Sequence, residues 1–367
     1  MQNLTKIVIT GGPCAGKTTA LSKLEKHFTG LGFRVIFINE TATELILNGI
    51  APQVGKSTDF QTTLLCVQRS KERLYKEWAN RLSDDKVLIV CDRGTLDNKA
   101  YMTNDDFLSV LSQLQLSEIE LRDNYDAVFH LVTAANGAEE FYTTANNKAR
   151  TEGIPEAIAL DDKLIAAWTG HPHFRVIDNT TGFEIKMQRL VSEIAGFLGE
   201  PEPYEIERKF IIKYPDISML EQLPNCSKVD IIQTYLHSAN PDEETRVRQR
   251  GRDGQYIFTK TIKKRVSTLK RVETERRLSQ AEYLSLLMDA DTILRQIRKE
   301  RYCLSFANQY IEIDIYPFWQ RQAILEVELS DENQKVVFPE FIEVLREVSG
   351  DERYENRSLA ENIPEEC

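Results

Sequence analysis

The stretch Gly11-Gly12-Pro13-Cys14-Ala15-Gly16-Lys17-Thr18 decides the reading of the first half of the chain. It follows the apolar run Ile7-Val8-Ile9 and precedes residues at helical spacing, Leu21, Leu24 and Phe28. Strand, glycine-rich turn, Lys-Thr pair and helix match the phosphate-loop pattern G-x-x-x-x-G-K-[ST] in the context that pattern requires. The glycines permit a tight turn whose N–H groups face phosphate oxygens, and the start of the helix adds its positive end. Lys17 is placed to reach the β and γ phosphates and Thr18 to hold Mg²⁺ through its hydroxyl, with Thr19 next to it. ATP or GTP is the expected ligand.

Working outward, Phe33–Asn39 reads as a buried strand that delivers Glu40, a carboxylate at the ligand end of a parallel sheet. Glu40 is a candidate to orient or deprotonate an acceptor, or to hold Mg²⁺ through water; its plainer role is a charge at a helix start. Lys86–Cys91 is a third strand, and its Asp92 is expected in the Mg²⁺ shell with Thr18. Arg93 and Asp97 follow. Helices are predicted over Lys17–Phe28, Ser57–Leu82, Asp106–Leu121, Pro155–Trp168 and Phe183–Leu198, and further strands over Ala127–Val132 and Phe174–Ile177. The polar stretch 134–152 lies where P-loop kinases carry a mobile lid, which makes Arg150 a candidate phosphate-facing arginine. Five strands alternating with helices predict an α/β P-loop domain, a parallel sheet with helices on both faces. The Pro/Glu run Gly199-Glu200-Pro201-Glu202-Pro203 predicts a boundary, with domains over 1–199 and 200–367.

The chain has 367 residues and a net charge of −11, and acidic residues outnumber basic ones in both halves. A general nucleic-acid or membrane coat is disfavoured, because phosphate backbones demand excess positive charge. Six scattered cysteines without a Cys-x-x-Cys pair suit a reducing, cytoplasmic setting. The first core strand begins too early to leave room for a signal peptide, and no apolar run reaches membrane-spanning length.

After residue 203 the periodicity changes to two. Glu205, Glu207 and Lys209 alternate, as do Arg246, Arg248 and Arg250, then Arg271, Glu273 and Glu275. Lys260, Lys299 and Arg301, Glu312 and Asp314, and Glu326 and Glu328 continue the series. Each pair alone reads as a solvated strand face. Taken together and facing inward, guanidinium and ammonium groups would grip a polyphosphate while carboxylates hold divalent cations. So many inward charges would be prohibitively costly without ions and ligand to compensate. Ser279 followed by Glu282 is a capping box and predicts a helix over Ser279–Met288.

The opening Glu205-Ile206-Glu207-Arg208-Lys209 resembles the E-x-E-x-K start of the CYTH superfamily, the triphosphate tunnel metalloenzymes, and the later charged pairs fall in that family's order. So does the closing Gly350-Asp351-Glu352-Arg353-Tyr354-Glu355-Asn356. The resemblance covers residues 203–360 and implies an eight-stranded antiparallel barrel whose tunnel binds a triphosphate. It implies Mg²⁺ or Mn²⁺ on Glu205, Glu207, Glu326 and Glu328, with Asp314 as an addition. It implies phosphate grips at Lys209, Arg246, Arg248, Lys260, Lys299 and Arg301, the position of Lys260 depending on a register that Lys263 and Lys264 also satisfy. In the first half, the P-loop together with Glu40-Thr41-Ala42-Thr43, Cys91-Asp92-Arg93-Gly94-Thr95 and Ala134-Ala135-Asn136-Gly137-Ala138-Glu139 resembles the NadR-like AAA domains of the TRPL translocation defect protein 14 family. Those proteins join the same two domains in the same order, which adds a phosphoinositide to the candidate partners. Two functions compete. One is a metal-dependent triphosphatase acting on nucleoside, inorganic or thiamine triphosphate, beside an NTPase, kinase or regulator. The other is a non-catalytic nucleotide- and phosphoinositide-binding signalling module. Nucleic-acid end repair is disfavoured by the acidic charge and the lack of an aromatic-basic stripe.

Overall fold

The computed structural model describes residues 3–54, 56–142, 153–200, 206–238, 243–265, 271–329 and 334–366. The chain divides into two compact units, Met1–Glu205 with Ala307–Tyr310, and Ile206–Phe306 with Ile311–Cys367.

In the first unit, β1 (Asn3–Gly11), β2 (Arg34–Ile38), β3 (Lys86–Asp92), β4 (Ala127–Leu131) and β5 (Phe174–Ile177) form one sheet in the order β2-β3-β1-β4-β5. All its pairings are parallel. Ile7–Ile9 and Val87–Cys91 are continuous apolar runs because both faces of the sheet are covered. Ile7, Ile9, Leu88, Val90 and Phe129 pack with Leu24 and Phe28 of α1 (Lys17–Gly30). The other helices are α2 (Thr41–Leu47), α3 (Ser57–Ala79), α4 (Asn104–Leu114), α5 (Glu118–Arg122), α6 (Ile154–Trp168) and α7 (Phe183–Leu198). The single helix expected over Asp106–Leu121 is broken in two. Gln115 turns left-handed at φ 54°, and Ser117 with Glu120 forms a capping box that starts α5.

In the second unit, eight strands of seven residues or more and a ninth of four make one sheet among the described residues. They are β6 (Ile206–Lys213), β7 (Cys226–Leu236), β8 (Glu243–Arg252), β9 (Gln255–Arg265), β10 (Arg271–Leu278), β11 (Ile297–Phe306), β12 (Gln309–Ile315), β13 (Gln322–Leu329) and β14 (Val344–Glu347). Their order is β10-β9-β8-β7-β11-β12-β13-β6-β14, and the registered pairs are antiparallel. The helices are α8 (Ile217–Gln222), α9 (Gln280–Leu286) and α10 (Asn356–Glu361). Ser279 and Glu282 do form the capping box at α9, but the helix gives way to a 3-10 turn at Leu287–Asp289. One face of the sheet is apolar: Phe210, Ile212, Ile311, Ile313, Leu325 and Val327 pack with Leu220 of α8 and Ile342. The other face carries a second cluster, in which Ile211, Tyr235, Ile297 and Ile324 pack with Leu359 of α10.

Candidate functional site

The P-loop closes between β1 and α1, where Gly16 caps the helix at φ 91°. Gly11 sits at φ 144°, and a Cβ there would stand 2.1 Å from the Leu131 carbonyl oxygen. Only glycine fits both constraints. Lys17 Nζ donates to the Gly11 carbonyl at 3.3 Å, and burial, with Arg93 nearby, lowers its pKa to about 8. Thr18, Thr19 and Asp92 line one cavity of about 1130 Å³ together with Pro13–Lys17, Glu40 and Arg93. Asp92 Oδ1 is buried without a hydrogen-bond partner, and burial raises its pKa. An orphaned carboxylate oxygen in a cavity shared with the Thr18 hydroxyl fits a divalent cation. Glu40 accepts from Arg93 Nε at 2.6 Å and from Thr43 at 2.6 Å. Burial works to raise its pKa, but Arg93 and Lys17 outweigh it and hold the carboxyl at about 2. Arg150 lies outside the described residues.

Three residues absent from the expected set brace this loop. Asp161 of α6 accepts from Gly12 N at 2.6 Å and Thr133 N at 3.2 Å, and His130 Nε2 lies 3.0 Å from it. Lys186 of α7 donates to Ala15 O at 3.3 Å, Val132 O at 2.7 Å and Asn179 Oδ1 at 2.7 Å. Polar side chains inside an otherwise apolar strand and two helices were the available signal, but nothing in spacing ties Asp161 to Gly12, 149 residues away, or Lys186 to Ala15, 171 away.

In the second unit the register sets the faces, since directly opposed residues point the same way. Glu207 faces Glu328, Lys209 faces Glu326, and Glu312 faces Glu326. Arg246, Arg248 and Arg250 lie opposite Tyr235, Gln233 and Ile231, while Ile231 and Val229 lie opposite Lys299 and Arg301. Arg301 reaches Asp314 and Glu326 from β11, so Glu207, Lys209, Arg246, Arg248, Lys299, Arg301, Asp314, Glu326 and Glu328 share one sheet face. Lys260 does not: it lies opposite Val247 and Arg276, on the other face. Thr261 stands opposite Arg246, so Lys263, two residues on, takes the side that Lys260 was expected to hold. Glu205 lies outside the described residues.

These charges are mutually paired. Arg301 donates to Asp314 twice at 2.6 Å, to Glu326 at 2.8 Å, and to Glu312. Lys299 also donates to Asp314, which is fully buried. Lys209 Nζ lies 2.9 Å from Glu326 and 3.4 Å from Glu207. Burial and then Glu326 push the Glu207 carboxyl up to about 7. Burial also opposes ionisation of Glu326, but Arg301, Lys299 and Lys209 hold it well below the usual range. Arg248 differs: its Nε is buried with no hydrogen-bond partner, as is Thr259 Oγ1 directly opposite. Burial, then Arg246, lowers the Arg248 pKa to about 10. A buried guanidinium Nε without a hydrogen-bond partner in a cationic row suits an anion. Asp314 is drawn to Arg301 and Lys299 rather than to the carboxylates, so it reads as a brace for the basic row. Among the described residues no group of three His, Cys, Asp or Glu is placed to hold a metal ion. Facing Glu207 and Glu328 with Glu326 adjacent, the donor chemistry still suits a hard cation.

Residues 6–186 match the family model described as an AAA domain, and residues 203–358 match that of the CYTH domain. No curated protein matches the chain in a sequence comparison. A solved structure described as the inorganic triphosphatase NE1496 is 27% identical over 44% of this chain and 97% of that one, with a TM-score of 0.32. A second NE1496 structure, described as a hypothetical protein, is 27% identical over 44% and 100%, with a TM-score of 0.33. A deoxyadenosine kinase from M. mycoides with bound dATP is 16% identical over 52% of this chain and 98% of that one, with a TM-score of 0.38. No helix among the described residues is long and apolar enough to cross a membrane.

Proposed function

Because the chain joins an AAA P-loop domain to a CYTH domain, we propose that the CYTH domain hydrolyses a triphosphate and that the P-loop domain binds ATP or GTP as an NTPase, kinase or regulator. The boundary between them falls in the Pro/Glu run that begins at Gly199. One observation supports the hydrolase reading above the rest: acidic and basic rows lie on a single sheet face, with Arg248 Nε and Thr259 Oγ1 buried and unpartnered among the basic ones. Arg246, Arg248, Lys299 and Arg301 grip phosphate oxygens and absorb charge that develops on the leaving group. Glu205, Glu207, Glu326 and Glu328 would hold Mg²⁺ or Mn²⁺, which when bound neutralises the terminal phosphoryl group. Asp314 holds Lys299 and Arg301, and Glu312 holds Arg301, so that little reorganisation of these two accompanies the reaction. The test is phosphate release from inorganic, nucleoside and thiamine triphosphates with Mg²⁺ or Mn²⁺. Failure with the whole panel would overturn the reading.

A second reading, capture of GTP or a phosphoinositide without turnover, draws on the pairing of Glu326 with Arg301 and Lys209. That pairing competes with a cation for the same carboxylate. Tight binding with no phosphate release would favour it.

A further inference from the structure

The charged face of the second unit does not end in solvent. Ile211, Ile297 and Ile324 stand two residues along their strands from Lys209, Lys299 and Glu326, so alternation puts them on the same side. Tyr316, just past β12, joins them, and Leu359 and Ala360 of α10 pack onto this apolar layer with Trp319 and Tyr354. The helix is tied down on both flanks. Tyr354, just before it, accepts from Arg346 at 2.6 Å. Ala360 O accepts from Arg295 N at 3.0 Å and from Arg295 Nε at 3.3 Å. The closing motif over 350–356, which the charged rows leave without a role, therefore delivers Asn356 as the first residue of a fixed helix.

A chain of polar contacts runs from Asn356 into the basic row. Tyr316 is 1% exposed, and its hydroxyl donates to Asn356 Oδ1 at 2.9 Å. The same hydroxyl oxygen accepts from Lys299 Nζ at 3.5 Å, and that nitrogen lies 5.5 Å from the ring centroid. At that length the contact guides the ammonium, while Asp314 holds it from the other side. A lysine ammonium carries three donors and no acceptor. Asp314 and Tyr316 take two among the described residues, which leaves one for a phosphate oxygen. The arrangement works only with the Tyr316 proton turned away from Lys299, since a hydroxyl hydrogen facing an ammonium hydrogen repels it. Asn356 Oδ1 is the acceptor that draws the proton away.

We propose that Asn356 is a positioning residue of the triphosphate site: by accepting the Tyr316 proton it turns the hydroxyl's lone pairs to Lys299 and so aims the ammonium at the phosphate chain. The inference rests on the reading of Lys299 as a phosphate grip. Asn356 touches no substrate. Its effect passes entirely through Tyr316 and Lys299.

The test uses the full chain with Mg²⁺ and inorganic triphosphate, reading kcat/KM by phosphate release and stability by thermal melting. Tyr316→Phe and Asn356→Leu should each lower kcat/KM about tenfold, the scale of one hydrogen bond to a charged group. Tyr316→Phe keeps the ring packed, so its melting temperature should stay within about 3 °C of wild type. Lys299→Gln should lower kcat/KM further than either. In the Lys299→Gln background, adding Tyr316→Phe or Asn356→Leu should cost less than about twofold, because residues that act through one group are not additive. If wild type releases no phosphate, the triphosphatase reading fails and the inference falls with it. If wild type is active and Lys299→Gln is impaired while Tyr316→Phe and Asn356→Leu stay within about twofold of wild type, the inference is overturned and the reading of the site stands. Tenfold losses that persist in full in the Lys299→Gln background, or that come only with a lowered melting temperature, would show that Tyr316 and Asn356 serve the fold, and would overturn it as well.

Discussion

Lys209 faces Glu326 across the β6–β13 ladder, its Nζ 2.9 Å from the carboxylate. Glu326 also accepts from Arg301 at 2.8 Å, so one buried carboxylate holds two cations from opposite sides of its strand. Glu326→Gln leaves both without that charge. Breaking a buried pair by removing one partner costs about 3–5 kcal/mol. The expected outcome is a stability loss of that order in urea unfolding, together with loss of phosphate release from inorganic triphosphate.

Lys260 and Lys263 test the register. Lys260 lies opposite Val247, and Lys263 lies on the face of Arg246 and Arg248. Lys263→Ala should weaken triphosphate affinity about tenfold, the scale of one lost charged contact, while Lys260→Ala should leave it within about twofold. Titration calorimetry with inorganic triphosphate distinguishes them, and the reverse ranking would mean that the β8–β9 pairing is displaced by one residue.

How much of this could be read from the chain follows from what each signal encodes. Val87–Val90 and Ile7–Ile9 announce buried parallel strands because every residue in them is apolar. Period-two charge marks which residues of one strand share a face, and Arg246, Arg248, Glu326 and Glu328 were legible on that ground. Spacing within a strand says nothing about the neighbouring strand, which is why Lys260 was expected on the wrong face. The break between α4 and α5 had a signal, Ser117-x-x-Glu120, that the apolar spacing across it concealed. The clasp of Asp161 on Gly12 joins residues 149 apart, and only the folded sheet reveals it.

Gly11 permits a direct test of the loop. A Cβ would stand 2.1 Å from the Leu131 oxygen at a φ of 144°. Gly11→Ala is expected to lower stability by about 1–3 kcal/mol, the usual scale of a residue forced into a strained conformation, and to abolish NTP binding. Thermal melting with and without ATP checks both.

Lys186 sets a pH dependence. Burial lowers its pKa from the ordinary 10.5 to about 8, with Asp161 and Asp178 opposing the shift and Arg189 adding to it. Between those values the unfolded chain binds more protons than the folded one, so this residue's contribution to stability rises with pH across the window and is a cost below it. In Lys186→Met the slope of stability against pH from about 8 to about 10.5 should be flatter than in wild type, as read from urea midpoints. An unchanged slope would show that the ammonium is not held low.

We propose two separate triphosphate sites, with hydrolysis at the second. Metal-dependent phosphate release from the triphosphate panel, compared among wild type, Lys17→Ala and the Glu205→Ala/Glu207→Ala double variant, separates the two. The double variant is expected to lose about a hundredfold or more of the activity toward inorganic triphosphate, while Lys17→Ala retains it and loses only NTP binding in the first domain. Activity that survives in the double variant and disappears with Lys17 would contradict it.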